Sequence, residues 1–433
     1  MRARLLRRAA AAAAGLAVVA GCAAAPAGDG PETIVFLNPH AGAYDAVIAE
    51  FEARNPDVRV EQQSVPFDQM VSQTQARLAS GDTSVDVVSV DPPRLAGMVA
   101  QGFLTDESAS EDLLESTSSQ VGINSVTVDG RPWAYPLWTS DAFLFYNRDA
   151  LTRAGVPLPG PSDADRLTWD QVLDGARKVS EAGTARYGFG IEQVDRYYAL
   201  QPILESMGAG PGLEGPDELT PAVDTEQWRQ FAHWYRDLYA DGLAPRGVDP
   251  GQMPELFASG QVGFFLTGAS GIGRAAGSDL AGNWGIAPAP YAAGGPVVTP
   301  TDSWGVGISA YSEKQEAARR FARFVTLDPQ GVIAASQEMT LPPVATAAMP
   351  AYLDYLDEVA PDETAGVGEL LETDLERYAR HRPTSVGYVQ FETTMNRAFG
   401  DLRNGADVDA VLAGAQATLT RQLDRQRELA GDR

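Results

Sequence analysis

The stretch from Thr33 to Val65 reads TIVFLNPHAGAYDAVIAEFEARNPDVRVEQQSV and sets the pattern of the chain. It opens with a short apolar run, continues with apolar residues at helical spacing that end at Asn55-Pro56, and closes with an alternating run. A second helical pattern from Asp68 to Ala79 and a third strand-like run from Val85 to Val90 follow. Strand and helix therefore alternate, which predicts an α/β fold with a largely parallel sheet.

The same alternation returns later in the chain and predicts a second sheet. Strand-like runs occur at 188–191, 262–266 and 284–287, separated by helical patterns. Between the two regions, extended segments surround the polar Thr139-Ser140-Asp141, which we interpret as a crossover between lobes. We expect one lobe from residues 32–142 and 300–343, and a second from residues 143–299 and 344–433.

The N-terminus has the pattern of a bacterial export signal. Four arginines within the first eight residues precede an apolar run over residues 9–20, which is too short for a stable membrane span. Cys22 follows small residues at the end of this run, and the site is similar to the lipobox of bacterial lipoproteins. A small buried thiol is the alternative. We expect cleavage after residues 1–21, a lipid on Cys22 and a flexible tether over residues 22–31.

Composition excludes several classes of protein. With 33 Lys and Arg against 58 Asp and Glu, the formal net charge is −25, the wrong sign for binding nucleic acid. One cysteine and three histidines exclude a disulfide framework and a His-cluster metal centre. The sequence also lacks the nucleophile elbow, the His-Glu-x-x-His motif and the phosphate loop. We expect no metal, cofactor or nucleic-acid partner, although the many acids leave a glycosidase-type carboxylate pair open.

Several short segments occur in an order that carries a family resemblance. They are FEARNPDV (51–58), LASGD (78–82), DVV (86–88), PLWTS (136–140), FYNR (145–148), TWD (168–170), FASG (257–260), GFF (263–265), WGV (304–306) and LPP (341–343). In this order they resemble the family 1 extracellular solute-binding proteins, the sugar-type receptors of ABC importers related to maltose-binding protein. The resemblance covers nearly all of residues 32–427.

The resemblance implies a two-lobe periplasmic-binding-protein-like fold of type II, in which crossover hinge segments join two α/β lobes that close on a ligand. It also implies a monomeric extracytoplasmic receptor that presents a mono- or oligosaccharide to an ABC permease and catalyses no reaction. A receptor for a phosphorylated polyol such as glycerol 3-phosphate and a lipid-anchored glycoside hydrolase are the alternatives. The family often has an aromatic residue where this chain has Leu37.

Several candidate ligand-binding residues, namely Asn38, His40, Asp91 and the 267–270 loop, lie where strands end, because ligands of open α/β sheets bind outside the carboxyl ends of strands. Aromatic faces and planar polar side chains are suited to sugars. The candidates are Asn38, His40, Asp68, Asp91, Trp138, Thr139, Ser140, Gly268, Ser270, Asp302, Trp304, Arg382 and Tyr388. Trp169, by contrast, lies on a helical stripe and is predicted to pack in the core.

Several candidates have a purely structural alternative. Core packing is the alternative for Trp138 and Trp304, and turn initiation before proline is the alternative for Asp91. For His40 it is capping of a turn. Arg382 is predicted to be the cation of the cleft, whereas the acidic candidates would oppose an anion. The sequence therefore favours a neutral sugar.

Overall fold

A computed structural model describes residues 30–431 of the chain. The predicted export signal, Cys22 and nearly all of the predicted tether lie outside the described residues. Within residues 30–431, no helix is both long enough and apolar enough to span a bilayer.

The described residues form strands and helices that alternate over most of the chain. The strands are β1 (Glu32–Asn38), β2 (Val58–Ser64), β3 (Val87–Val90), β4 (Thr127–Val128), β5 (Arg131–Pro132), β6 (Tyr135–Pro136), β7 (Phe143–Asn147), β8 (Tyr187–Ile191), β9 (Leu213–Glu214), β10 (Thr220–Pro221), β11 (Val262–Thr267), β12 (Trp284–Pro288), β13 (Thr299–Pro300), β14 (Gly305–Ile308) and β15 (Ala379–Arg380). The helices are α1 (Asp45–Arg54), α2 (Phe67–Ala79), α3 (Leu95–Ala100), α4 (Glu111–Thr117), α5 (Gln120–Ser125), α6 (Arg148–Arg153), α7 (Trp169–Ala182), α8 (Tyr197–Ser206), α9 (Glu226–Ala240), α10 (Met253–Ala258), α11 (Ser270–Ala276), α12 (Gln315–Leu327), α13 (Pro329–Met339), α14 (Met349–Val359), α15 (Val367–Arg377), α16 (Tyr388–Arg403) and α17 (Val408–Gly431).

The first sheet has the strand order β2-β1-β3-β14-β6. Strand β1 pairs in parallel with β2 and β3, and β14 runs antiparallel to both β3 and β6. The sheet is therefore largely parallel with one reversed strand, contributed by a distant part of the chain. Side chains alternate across it, so that Val87 faces one buried cluster and Val88 faces another.

The second sheet has the order β12-β7-β11-β8, with β7 as the reversed strand. Along β7, Leu144 joins one hydrophobic cluster and Phe145 joins the opposite one, so both faces of this sheet are covered. Helix α7 lies close against β8 at Gly188, where an added Cβ would come 2.1 Å from the carbonyl oxygen of Ala176. Only glycine permits this approach of helix and strand.

Helix α7 begins as the sequence predicts. The Thr168 hydroxyl accepts the backbone N–H of Gln171, and the Gln171 side chain accepts the backbone N–H of Thr168. Trp169 follows with 2% exposure and packs in the core of the second lobe, as expected. Burial of such a side chain contributes about 2–3 kcal/mol to folding.

Three segments pass side by side between the two sheets, and we call them the crossing segments: residues 137–142, 301–304 and 341–343. Leu137 and Trp138 donate their backbone N–H groups to the carbonyl oxygen of Trp304. The hydroxyl of Thr139 donates to the carbonyl oxygen of Thr301 at 3.0 Å. These bonds hold the segments together where the chain passes from one lobe to the other. The lobe boundaries given above remain a prediction.

Candidate ligand-binding cleft

A cavity of about 250 Å³ lies between the two sheets. Its walls include residues from the ends of β1, β3, β8 and β11, together with residues of the crossing segments. The sequence-predicted residues that line it are His40, Asp91, Ser140, Gly268, Ser270, Asp302, Trp304 and Arg382. The fold thus brings eight of the candidates to one place, and four of them, His40, Asp91, Gly268 and Ser270, come from the strand-end argument.

Two candidates on the crossing segments lie behind the cavity lining. Trp138 is 1% exposed, and its indole N–H donates to the hydroxyl of Ser336 at 3.1 Å. Thr139 is 3% exposed, and its hydroxyl serves the crossing-segment bond to Thr301. Both side chains are occupied within the protein, so we assign them to packing, which was the structural alternative for Trp138.

Two further candidates support the lining from behind, and one cannot be assigned. The amide oxygen of Asn38, which is fully buried, accepts the backbone N–H of His40 at 2.9 Å. The buried hydroxyl of Tyr388 lies 3.4 Å from a guanidinium nitrogen of Arg382. These residues hold His40 and Arg382 in place. The side chain of Asp68 lies outside the described residues.

One wall of the cavity is aromatic. The ring of Trp304 lies edge-on to His40, at 5.1 Å between centroids, and to Phe67, at 5.9 Å. Phe67 is 48% exposed although it is a large apolar residue. Tyr198 also lines the cavity, and its ring lies 5.7 Å from the guanidinium carbon of Arg382. Aromatic faces of this kind stack on the apolar C–H patches of flat ligands.

A second wall is ionic. The guanidinium of Arg382 bonds to the carboxylate of Asp91 at 2.7 Å and lies 3.5 Å from that of Asp302. Asp302 also accepts the backbone N–H of Arg382 and contacts the ring nitrogen of His381 at 2.6 Å. Burial alone would raise the pKa of Asp91, yet Arg382 and Arg94 hold it below its ordinary value. The positive charges of the two arginines and the negative charges of the carboxylates therefore compensate one another.

The ionic wall continues through Arg94, which follows β3. Its guanidinium bonds to Asp91 at 2.9 Å and also pairs with Glu392 on α16. Because β3 belongs to the first sheet and α16 packs with the second lobe's core, this pair joins the two lobes. The pairs Asp91–Arg382 and Arg94–Glu392, which we call the interlobe pairs, form one side of the cavity.

Asp141 carries a buried oxygen that has no partner within the described structure. Its side chain lines the cavity and is 5% exposed; one oxygen accepts the backbone N–H of Ala269 at 2.9 Å, and the other has no hydrogen bond. Burial raises the pKa of this carboxyl to about 7, with further contributions from Asp374 and Glu192. A buried polar atom without a partner is costly, so this oxygen is suited to meet a ligand group.

His40 presents a second buried atom of this kind. Its Nε2 has no hydrogen-bond partner in the part of the chain that the structure describes, and its ring lines the cavity beside Trp304. Desolvation by burial lowers the pKa of His40 to about 4, so the ring is neutral at ordinary pH. A neutral imidazole has one donor and one acceptor nitrogen and can bond a hydroxyl in either sense.

Sequence reasoning missed several lining residues. They include Phe67, Arg94, Asp141, Glu192, Arg196, Tyr198, Met339, Leu341 and Glu392. Glu192 directly follows the predicted strand at 188–191, so the strand-end rule could have found it. The expectation that only Arg382 is a cation of the cleft was wrong, because Arg94 and Arg196 line the cavity as well.

The family model described as "Bacterial extracellular solute-binding protein" matches residues 38–332. The chain belongs to this family. It is a family of extracytoplasmic solute-binding proteins, and the resemblance stated from the sequence is confirmed. The match runs from the last residue of β1 into the first turn of α13, and so includes the aromatic wall and the Asp91 side of the interlobe pairs.

Curated relatives are similar over part of their length. A binding protein of Brucella abortus is 26% identical over 59% of this chain and 61% of its own, so the chain spans about three fifths of that relative. The galactooligosaccharide-binding protein of Bacillus subtilis is 24% identical over 66% of this chain and 65% of its own. The sn-glycerol-3-phosphate-binding periplasmic protein of Agrobacterium fabrum is 27% identical over 38% and 37%.

Solved structures show the same fold. The acarbose-binding GacH receptor of Streptomyces glaucescens is 20% identical, with a TM-score of 0.76 over 91% of this chain and 99% of its own. A maltose-bound MalE3 of T. maritima is 22% identical, with a TM-score of 0.75 over 91% and 99%. The predicted two-lobe α/β fold is therefore confirmed.

Proposed function

We propose that this protein is an extracytoplasmic receptor that captures a neutral sugar in the cleft and delivers it to the permease of an ABC importer. One observation carries the proposal. The aromatic ring of Trp304 lies beside His40, and the cavity that they line between the lobes also contains Asp141; His40 Nε2 and Asp141 Oδ2 are buried and have no hydrogen-bond partner among the described residues. An apolar face next to hydrogen-bonding groups matches the two faces of a sugar ring.

The comparisons support a sugar in general terms. The names of a curated relative and of structural neighbours mention galactooligosaccharide, acarbose and maltose. Those ligands belong to those proteins. They agree with the chemistry of this cavity, in which hydroxyl groups would meet carboxylate, imidazole and serine side chains.

A phosphorylated polyol is the second candidate, since a relative that binds sn-glycerol 3-phosphate is similar to part of this chain. Three arginines line the cavity, which also favours an anion. Five carboxylates line it too, however, and the arginines at 94 and 382 already pair with three of them. The balance of charge in the cleft therefore favours a neutral ligand, because a phosphate needs several convergent donors.

Location and partner follow from the same proposal. A lipid on Cys22 would tether the receptor to the outer face of the cell membrane, where a permease could receive the ligand. Delivery requires that the ligand leave unchanged, so the receptor would catalyse no reaction. The alternative that an experiment must exclude is a lipid-anchored glycoside hydrolase with Asp141 as the general acid.

Native mass spectrometry of protein purified from cells grown in rich medium tests the proposal. We expect a co-purified mass that matches a sugar and disappears on partial unfolding. The released sugar should then be incubated with fresh protein and recovered intact. A phosphorylated compound in the first step would favour the receptor for a phosphorylated polyol. Shorter sugars in the second step would favour the glycoside hydrolase.

A further inference from the structure

The carboxyl group of Asp141 is held through one of its two oxygens. Asp141 lies on a crossing segment, lines the cavity, and accepts the backbone N–H of Ala269 with Oδ1 at 2.9 Å. The backbone at Gly268 packs against the same oxygen, since an added Cβ there would lie 3.1 Å from Oδ1. Oδ2 has no hydrogen-bond partner among the described residues, so its partner has to come from outside them.

The titratable groups that face Asp141 from three other elements add no positive charge. Glu192 follows β8 and Asp374 lies on α15; after the effect of burial, their negative charges raise the pKa of Asp141 further. Tyr352 lies on α14, and burial followed by the charge of Asp141 raises the pKa of its hydroxyl. Arg166 is paired with Asp374 at 2.5 Å and so is already neutralised.

The cations of the cavity wall are also paired elsewhere. The other charged side chains on this wall are Asp91, Arg94, Arg196, Asp302, Arg382 and Glu392. The interlobe pairs occupy Arg94 and Arg382, and Arg274 on α11 pairs with Glu255. None of the ion pairs between described residues includes Asp141. A carboxylate buried without a cation is costly, which favours the uncharged form, and burial indeed raises this pKa to about 7.

An uncharged carboxyl differs from a carboxylate in what it offers a ligand. It donates one hydrogen bond through its O–H, whereas a carboxylate only accepts. Because Oδ1 accepts from Ala269, the proton is placed on Oδ2. We propose that Asp141 binds the sugar as a neutral carboxyl, donating from Oδ2 to a sugar oxygen, so that capture takes up a proton and weakens as pH rises. This inference rests on the proposed receptor function.

The direction of the pH effect follows from linkage. A sugar that bonds the protonated form raises the pKa of Asp141 in the complex above its value in the free receptor, so affinity is constant below that value and falls above it. Titration calorimetry at about pH 6 and pH 8.5 with maltose, maltotriose and β-1,4-galactotriose measures this. The probe that binds most tightly should bind at least about tenfold more weakly at the higher pH.

The same titrations count the proton. In buffers of different ionisation enthalpy at about pH 8, binding should take up about one proton per sugar. His40 does not contribute to this count, because burial lowers its pKa to about 4 and the ring is neutral throughout. A structural role of Asp141 alone would change the affinity without proton uptake.

Asp141→Asn assigns the effect to this residue. The amide keeps a donor and an acceptor but does not titrate, so its affinity should change less than about twofold between the two pH values, with no proton uptake. The matched control is Glu205→Gln, which removes another carboxyl whose pKa burial raises to about 7 but which does not line the cavity. It should keep the wild-type pH profile.

Two results would overturn the inference and leave the receptor function intact. One is binding by the wild-type protein that is independent of pH, and the other is an unchanged pH profile in Asp141→Asn, which would assign the proton to another group such as Glu192. Absence of binding by every probe at both pH values counts against the sugar receptor itself and removes this inference with it.

Discussion

The guanidinium of Arg382 lies 2.7 Å from the carboxylate of Asp91, across the cleft between the two lobes. Asp91 directly follows β3 of the first sheet, and Arg382 precedes α16, whose buried face packs in the second lobe. The two side chains are 16% and 6% exposed. This largely buried ion pair therefore links the two lobes and forms part of a wall of the cavity.

Replacing Arg382 by alanine should destabilise the fold strongly. The change leaves the carboxylates of Asp91 and Asp302 buried without their cation, and breaking a buried pair in this way costs about 3–5 kcal/mol. From the sequence alone, the expected effect on sugar binding is smaller, about 1–2 kcal/mol. Urea unfolding measures the first effect and calorimetry the second. The control is Arg177→Ala, which removes an exposed ion pair with Asp174 and should lower the free energy of unfolding by no more than about 1 kcal/mol. Equal losses of stability in Arg382→Ala and Arg177→Ala would contradict the account.

The stability contributed by Asp141 should depend on pH. Burial raises its pKa to about 7 in the folded protein, whereas an unfolded aspartate titrates near about 3.9. Between about pH 4 and pH 7 the folded protein binds more protons, so this group makes stability fall as pH rises. Asp141→Asn removes the effect, and its stability relative to wild type should rise by about 2–3 kcal/mol between about pH 5 and pH 8.

Urea unfolding of both proteins at the two pH values checks this result. Burial also raises the pKa of Glu205 to about 7, but that group is present in both proteins and cancels in the difference. A difference in stability that stays constant over this pH range would mean that Asp141 is ionised throughout. It would then need a cation or donor that the described structure does not provide.

Trp304→Ala should weaken sugar binding by about 1–3 kcal/mol, because it removes the aromatic wall of the cavity. Trp169→Ala, in contrast, should lower the melting temperature and leave the affinity unchanged. Trp169 is 2% exposed, its indole N–H donates to Ser206, and neither residue lines the cavity. Calorimetry and thermal unfolding of both variants separate the roles. If Trp169→Ala weakened binding and Trp304→Ala only lowered the melting temperature, our assignment of Trp304 to the cleft and Trp169 to the core would be wrong.

Cys22→Ser should release the protein from the membrane. Serine lacks the thiol that would carry the lipid. Fractionation of cells that express each form, followed by immunoblotting, gives the distribution. The variant should be in the soluble extracytoplasmic fraction, and equal membrane retention of both forms would remove the lipoprotein interpretation.

Local signals predicted the elements of this fold closely. The apolar run Thr33 to Leu37 is the centre of β1, and the capping box at Thr168 starts α7. Trp138 shows where local signals fail. It adjoins a polar segment in the sequence, but its indole N–H meets Ser336, which is 198 residues away. The direction of that side chain is decided by tertiary packing, which no local pattern encodes.

The Arg94–Glu392 pair of the ionic wall could not be predicted for the same reason. Arg94 and Glu392 are 298 residues apart in the sequence, and each resembles an ordinary surface charge in its own segment. They meet only because α16 packs beside the turn after β3. Strand-end residues such as His40 and Asp91 could be predicted because the topology of an α/β sheet alone brings them to one edge.

Titration of the protein at low salt and at about 0.5 M salt, with the co-purified sugar and with glycerol 3-phosphate, tests the central claim most directly. A neutral ligand has no charge for salt to screen. The account predicts that the sugar binds with affinities within a factor of about three at the two salt concentrations, and that glycerol 3-phosphate binds much more weakly. Tight binding of glycerol 3-phosphate that weakens steeply with salt would contradict the claim of a neutral-sugar receptor.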